Sequence, residues 1–282
     1  MANAKSTAVT KTDEKPDYLK QLEEQNAGAN QTDNFDSSDV VVPQVKLLQG
    51  LSAECESFDD AKAGRFWHTG FDMSLGDNFN FVICSRRKKY LLLAPLEDGQ
   101  GVLARSEDAK TWDRTGEWEV KLPQTKRTAK WRIDDLDVAK SGLDKWGTYD
   151  PEDNDSPPAA TMFYEYLIIL PDHPDFGAAV MSLSRSQIRK AKKGCNDKVE
   201  LHRSAGRPMQ ALVFSAKSVD EQSSSGSYKN FQFTQNGFAS KEMYDYAMEL
   251  SQKLHTYQVA DEGVTAQEQE KPNTTNTESD QF

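Results

Sequence analysis

The chain has 282 residues, among them 34 Lys or Arg, 45 Asp or Glu and three Cys, and its formal net charge is −11. Its N-terminus lacks the basic and then apolar order of a secretory signal, and its apolar stretches are too short to cross a bilayer. We therefore expect a cytoplasmic protein without a membrane segment. Because the three cysteines are widely spaced and odd in number, we expect free thiols and no zinc site.

Both ends of the chain are acidic and poor in apolar residues. Residues 1–39 carry four Lys against eight Asp or Glu, and residues 259–282 carry one Lys against six. Neither segment can bury enough apolar surface to offset the entropy of ordering. We predict two disordered acidic tails around a single domain at residues 40–258. The domain itself carries only −2, because the tails account for −4 and −5 of the total.

Strand patterns begin this domain. Pro43 restricts the first apolar segment, residues 40–52, to an edge position. An aromatic stretch, turn residues at 76–78 and an apolar run from residue 79 predict a hairpin. Four cations at 86–89 interrupt the second strand, which we expect to leave the core, bend and re-enter it at Tyr90.

The next stretch, about residues 97–158, has no regular pattern. It contains four of the five tryptophans and ends in an acidic, Pro-rich loop. We predict an elaborated insertion here.

Regular patterns return in the second half. Apolar runs at 161–170 and 178–183 predict strands, and Ser184 can cap a helix that Gly194 weakens or ends. Two further strands and a C-terminal helix capped by Ser240 complete the domain. The predicted fold class is therefore mainly β with some helix (α+β).

We find no catalytic signature in the sequence, neither a phosphate-binding glycine loop nor a nucleophile elbow. Two acidic groups could bind Mg²⁺ in a nuclease, but they lie among turn-forming residues and are expected to be solvated. We predict a protein that is not an enzyme and needs no cofactor or metal. The two acidic groups are Asp134, Asp135 and Asp137, and Glu152, Asp153 and Asp155.

Cations interleaved with aromatic residues are the main functional signal. Single-stranded nucleic acid requires positive charge along its phosphates and flat side chains for its bases. Two segments, residues 86–90 and 118–132, combine both features, and a third, residues 184–207, carries eight Lys or Arg against two acids. The predicted DNA-binding residues are Arg86, Arg87, Lys88, Lys89, Tyr90, Trp118, Lys121, Lys126, Arg127, Lys130, Trp131, Arg132, Tyr228 and Phe231.

A plainer interpretation stays open for each aromatic residue. Large rings usually supply core area, and cations commonly protect strand edges against aggregation. Under this interpretation Trp67, Trp118 and Trp131 belong to the core.

The C-terminus ends in Glu278, Asp280 and a terminal Phe282. Acids and an aromatic ring on a flexible segment suit capture by a basic pocket with an apolar hole. A solubilising tail would have the same composition.

Taken in order, these segments resemble the single-stranded DNA-binding proteins of tailed bacteriophages. The resemblance rests on residues 40–52, 64–70, the aromatic strand before Pro171, 181–193, 208–214 and the acidic tail. It implies an oligonucleotide-binding (OB) fold, a partly open five-stranded barrel. It also implies a tail that contacts replication or recombination proteins, and a location in the host-cell cytoplasm.

We therefore predict sequence-nonspecific binding of single-stranded DNA during replication or recombination. Two alternatives stay open: a virion or assembly protein that uses the barrel as a protein-binding module, and a nuclease or recombination accessory protein. The sequence does not indicate an oligomeric state.

Overall fold

A computed structural model describes residues 41–223, 226–254 and 258–259. The predicted disordered tails therefore lie outside the described residues, apart from Val259. Thirteen strands occur in the described part of the chain: β1 (Val41–Val42), β2 (Val45–Leu47), β3 (Phe66–His68), β4 (Met73–Gly76), β5 (Asn78–Leu93), β6 (Val102–Ser106), β7 (Gly116–Leu122), β8 (Arg127–Ile133), β9 (Ala160–Ile169), β10 (Ala178–Ser184), β11 (Leu212–Ser223), β12 (Gly226–Phe238) and β13 (Gln258–Val259).

The α-helices lie between these strands. They are α1 (Glu54–Ser57), α2 (Val138–Ser141), α3 (Arg185–Ala191), α4 (Asp197–Ser204) and α5 (Lys241–Lys253). A π-helical turn, Lys192–Asn196, joins α3 to α4, so that residues 185–204 form one continuous helix. We call this segment the basic helix.

An antiparallel sheet with the strand order β10-β9-β5-β11-β12 forms the centre, and β6 pairs with the distal part of β5. The 16-residue β5 is the longest strand of this sheet. Its cations do not interrupt it. Instead, the strand shifts its register against β9 between Ile83 and Ser85 and continues through residues 86–89. Bulges of this kind bend a strand without ending it.

Alternating side chains divide the core between the two faces of the central sheet. Phe81 and Phe214 face a large cluster to which the basic helix and strands β2 and β3 contribute. Val82 and Leu167 face the opposite side, where α5 packs. The central sheet is therefore covered by helix on both faces.

The predicted insertion is ordered. Strands β7 and β8 form a two-stranded sheet whose inner face joins Trp112 and Leu143 in a separate hydrophobic cluster. This cluster also includes Leu92 of β5 and Ala160 of β9, so it continues the far end of the central sheet.

The predicted α+β class, with β dominant, is confirmed, and α5 is a C-terminal helix as expected. Ser240 caps it, because its Oγ accepts a hydrogen bond from the N–H of Met243 at 3.2 Å. The predicted barrel is corrected. Among the described residues the sheets do not close, and β10 and β12 are the two ends of the central sheet. Within the described segments, no helix is long and apolar enough to cross a membrane.

Gly194 does not end its helix but lies in the π turn that interrupts the α-helical geometry. It allows the π turn to lie directly on β12: a Cβ atom at this position would lie 2.5 Å from Phe233 Cβ and 2.7 Å from the Phe233 carbonyl oxygen. The glycine is needed for this close approach, which fixes the basic helix on the sheet.

We predict that Gly194→Ala lowers the thermal midpoint of unfolding. Alanine is about 1 kcal/mol better than glycine within a helix. Overpacking against backbone nevertheless costs about 1–3 kcal/mol, so we expect a net loss. Gly50→Ala is the control, because no atom lies within 4 Å of its Cβ position. An unchanged midpoint in Gly194→Ala would contradict the close packing of Gly194 against Phe233.

Candidate nucleic-acid interface

The four cations of β5 point alternately to opposite faces of the central sheet. Arg87 and Lys89 share one face and both contact Glu165, which is fully buried. The distances are 2.7 Å from Arg87 Nε and 2.5 Å from Lys89 Nζ to the carboxylate oxygens. Lys89 is itself buried. The predicted DNA contact by Lys89 is therefore corrected, because its ammonium group balances a buried carboxylate.

Burial alone would raise the pKa of the Glu165 carboxyl group. The charges of Lys89 and Arg87, together with their hydrogen bonds, hold this pKa below its ordinary value. Glu165 therefore stays ionised at neutral pH and holds both cations at the sheet.

The other face of β5 carries Arg86 and Lys88. Arg86 donates to Asn196 Oδ1 at 2.7 Å and pairs with Glu200, both in the basic helix. It therefore links the strand to that helix. Lys88 is exposed, with its Nζ 5.5 Å from the centroid of the Tyr164 ring. Tyr90 is half-buried against the insertion cluster.

The β7–β8 hairpin presents its cations on its outer face, but acids lie opposite them. Lys130 pairs with Glu119 at 3.2 Å, and Arg132 lies opposite Glu117 in register, at 3.9 Å. These pairs give the outer face a mixed charge. Arg127 pairs with Asp150 and Glu152, Arg132 also contacts Asp134, and Lys121 and Lys126 are exposed.

The tryptophans of this hairpin face inward. Trp131 is fully buried, and its Nε1–H donates to the carbonyl oxygen of Tyr149 at 3.1 Å. Trp118, opposite it in register, is half-buried against the same cluster. A ring without an exposed face cannot stack on a base, so the prediction for Trp131 is corrected and its role is in the core.

Of the two predicted aromatic residues of β12, one is buried and the other is half-buried. Phe231 is buried and stacks on Phe233 at 5.3 Å, so it too is a core residue. Tyr228 is half-buried, and its hydroxyl donates to Glu221 at 2.9 Å. The predicted tail residues Glu278, Asp280 and Phe282 lie outside the described residues.

The basic helix carries a group of exposed cations that make no ion pair within the described part of the chain. Arg189, Lys192, Lys193 and Lys198 are exposed, and none of them makes an ion pair with another described residue. We call these four the helix cations. Residues three and four positions apart are neighbours on a helix, so Arg189, Lys192 and Lys193 share one face.

Local sequence explains why this helix presents its cations outward. Its apolar stripe, which includes Ile188, Ala191 and Cys195, is buried against the central sheet. Gln187 Oε1 accepts from the N–H of Ser184 at 3.0 Å and stabilises the first turn. Lys190, nearer the sheet, pairs with Glu221.

The structure describes all five tryptophans of the chain, and Trp146 is the exposed one. It is 67% exposed, whereas Trp67, Trp112 and Trp131 are buried. Its loop is held by hydrogen bonds: Gly147 N–H donates to Ser156 O at 2.7 Å, and Thr148 Oγ1 donates to Lys145 O at 2.7 Å. An exposed tryptophan on such a loop is a typical binding residue.

Tyr149 follows Trp146 by three residues and packs against the insertion cluster. Burial raises the pKa of its phenol; the positive charge of Arg185 opposes this shift, and the carboxylates of Glu97 and Asp150 add to it.

The acids considered for a nuclease have structural partners. Asp135 pairs with Lys140 at 2.7 Å, and Asp137 Oδ1 accepts from Ala139 N–H at 2.9 Å to cap α2. In the described part of the chain, no three His, Cys, Asp or Glu side chains come together in a way that could hold a metal ion.

The helix cations and Trp146 were not among the predicted DNA-binding residues. The excess of positive charge in residues 184–207 does indicate the helix cations in the sequence. The pairing of the hairpin cations with Glu117 and Glu119 depends on the register of two strands, which composition does not show.

A family model described as "Pam3 phage gp34-like protein" matches residues 5–260 of the chain. Searches of curated proteins and of solved structures each found no match.

We predict that Glu165→Gln destabilises the fold by about 3–5 kcal/mol, because it leaves Arg87 and Lys89 without a buried counter-charge. The pKa of Glu165 is lowered by folding, so its contribution is complete above the ordinary value of 4.5 and is lost as the pH falls through the folded-state value. Urea unfolding of both proteins from neutral pH to below 4.5 should show their difference shrinking in acid.

Glu107→Gln is the control for this measurement. Glu107 contacts Arg87 from the surface, where its side chain is 53% exposed, so its loss should cost less than about 1 kcal/mol. Equal stabilities of the Glu165→Gln and Glu107→Gln variants would contradict the buried ion cluster.

Proposed function

The chain belongs to the Pam3 phage gp34-like protein family, and on this premise we propose that it is a phage protein that binds single-stranded DNA through the basic helix. The proposed role is sequence-nonspecific protection of exposed strands during replication or recombination. It is a binding function and not a catalytic one.

The observation that carries this proposal is the set of four helix cations without acidic partners. Where acids lie beside cations, as at Lys130 and Arg132 of the β7–β8 hairpin, the local field is partly cancelled. The helix cations keep their full charge toward solvent. Phosphates that approach such a row release counterions, which is the main source of nonspecific affinity for nucleic acid.

Trp146 supports a single-stranded ligand. Unpaired bases expose ring faces, and each face that stacks on an aromatic side chain contributes about 1–3 kcal/mol. Bases inside a duplex already stack on one another and offer no such face.

The composition of the site also supports weak sequence preference. Lysine and arginine contact phosphates, which carry no sequence information, and a stacking ring accepts any base. An open sheet with a helix on its surface suffices for such binding, so the proposal does not require the partly open OB barrel.

Contacts of Glu278, Asp280 and Phe282 with replication or recombination proteins remain part of the proposal. A virion or assembly role would instead give a protein that binds phage particles and leaves oligonucleotides unbound. A nuclease or annealing accessory would cleave DNA with Mg²⁺ or accelerate strand annealing.

We predict that Lys192→Gln together with Lys193→Gln weakens binding to an oligo-dT strand and lowers its salt dependence. For single strands, each lost phosphate contact reduces the slope of log K against log salt by about 0.7, so two should reduce it by about 1.4. Fluorescence anisotropy over a salt series measures both quantities.

The matched control is Lys130→Gln together with Arg132→Gln. It removes the same charge from exposed sites that are already paired with Glu117, Glu119 and Asp134. Its slope should stay at the parent value. If both double variants lose affinity equally, net charge alone governs binding and the basic helix is not the site.

We predict that Trp146 reports and strengthens binding. Oligo-dT should quench the intrinsic fluorescence of the parent protein, and Trp146→Phe should remove most of that quenching while keeping most of the affinity. Trp146→Ala should weaken binding by about fivefold or more, equivalent to the lower end of 1–3 kcal/mol for one stacked base. Full quenching in Trp146→Phe would exclude this residue as the stacking group.

A further inference from the structure

A second surface of the protein combines stacked rings with negative charge. Phe71 lies between β3 and β4, and His173 and Phe176 lie between β9 and β10. The Phe71 and Phe176 rings stack at 4.3 Å and 27°, and the His173 and Phe176 rings stack at 4.7 Å and 15°. Phe71 is 52% exposed at the end of this column. We call the three rings the aromatic column.

The segments that supply the aromatic column are acidic. Residues 66–80 and 170–181 contain four Asp and no Lys or Arg. Asp72 and Asp172 are exposed, and neither forms an ion pair with a described residue, although Asp172 accepts a hydrogen bond from Asn80 Nδ2 at 3.1 Å. This charge would repel phosphate, so the surface does not suit nucleic acid.

His68 lies directly behind the column. It is fully buried, its ring centroid is 5.2 Å from those of Phe71 and Phe176, and neither ring nitrogen has a hydrogen-bond partner among the described residues. Burial, and secondarily the neighbouring His173, lower the pKa of His68. A neutral imidazole keeps one nitrogen as an acceptor. A buried acceptor without a donor is uncommon in folded proteins.

We propose that the aromatic column is a docking site for an arginine side chain of a protein partner. A guanidinium group is flat, always charged, and carries five N–H donors in its own plane. It can therefore lie against the exposed face of Phe71 while donating toward the carboxylate of Asp72 or Asp172. Lysine matches the charge but not the flat shape.

This inference is independent of the proposed DNA binding, because it uses another surface with the opposite charge. The protein would then hold DNA at the basic helix and a basic protein segment at the aromatic column. The two surfaces would not compete for one ligand.

The test uses the full chain and a fluorescein-labelled acetyl-Gly-Arg-Gly-Arg-Gly-amide peptide, with anisotropy measured at low salt. Peptides with lysine or with the neutral isostere citrulline at both arginine positions are the comparisons. We expect arginine to bind better than lysine and citrulline not to bind. Phe71→Ala should lower the association constant about three- to tenfold, as expected for loss of a cation–π contact, and Asp72→Asn should lower it as well.

Phe238→Ala is the matched control, because Phe238 is 59% exposed but lies beside Arg207 and not beside acids. It should bind the peptide as the parent does.

Equal binding by the parent and Phe71→Ala, or equal losses in Phe71→Ala and Phe238→Ala, would overturn the assignment. So would self-association of the chain that Phe71→Ala abolishes without any peptide binding, because the occupant would then be a second copy. Phe71→Ala should keep the oligo-dT affinity of the parent. That result would show that DNA binding at the basic helix does not depend on the aromatic column.

Discussion

The close packing of the basic helix on the central sheet is the constraint on which the candidate interface depends. Gly194 brings the π turn against Phe233, and Arg86 reaches from β5 to Asn196 and Glu200. These contacts fix the rotation of the helix about its axis. Because its apolar stripe is buried, the remaining side chains must point to solvent. The charge that the helix presents is thus a consequence of its packing.

Ion pairs with buried or neighbouring acids distinguish the cations that stabilise the structure from the cations that can bind a ligand. Arg87 and Lys89 neutralise Glu165 within the sheet, and Lys130 has acids beside it on the hairpin. The helix cations have no such partner within the described residues. In a domain of net charge −2, this distribution gives the basic helix a positively charged surface, while the acidic turns around Phe71 form a surface of opposite sign.

Periodicity and composition predicted the α+β class, the long strand β9 and the capped helix α5, because these depend on neighbours close in sequence. They could not predict that β5 continues through its cations, since that requires Glu165 from another strand. They also could not separate Trp131, buried in a cluster, from Trp146, exposed on a loop, because both are tryptophans among polar residues. Contacts between residues far apart in sequence decide which aromatic residues and cations are exposed. These contacts cannot be derived from the composition and periodicity of a single sequence.

Lysine footprinting tests the central claim most directly. The full chain would be acetylated with and without an oligo-dT strand, and the reactivity of each lysine measured by mass spectrometry. DNA bound along the basic helix should protect Lys192, Lys193 and Lys198 and leave Lys130 on the hairpin and Lys241 on α5 as reactive as before. Protection of Lys130 and Lys241 without protection of the helix lysines would contradict the account.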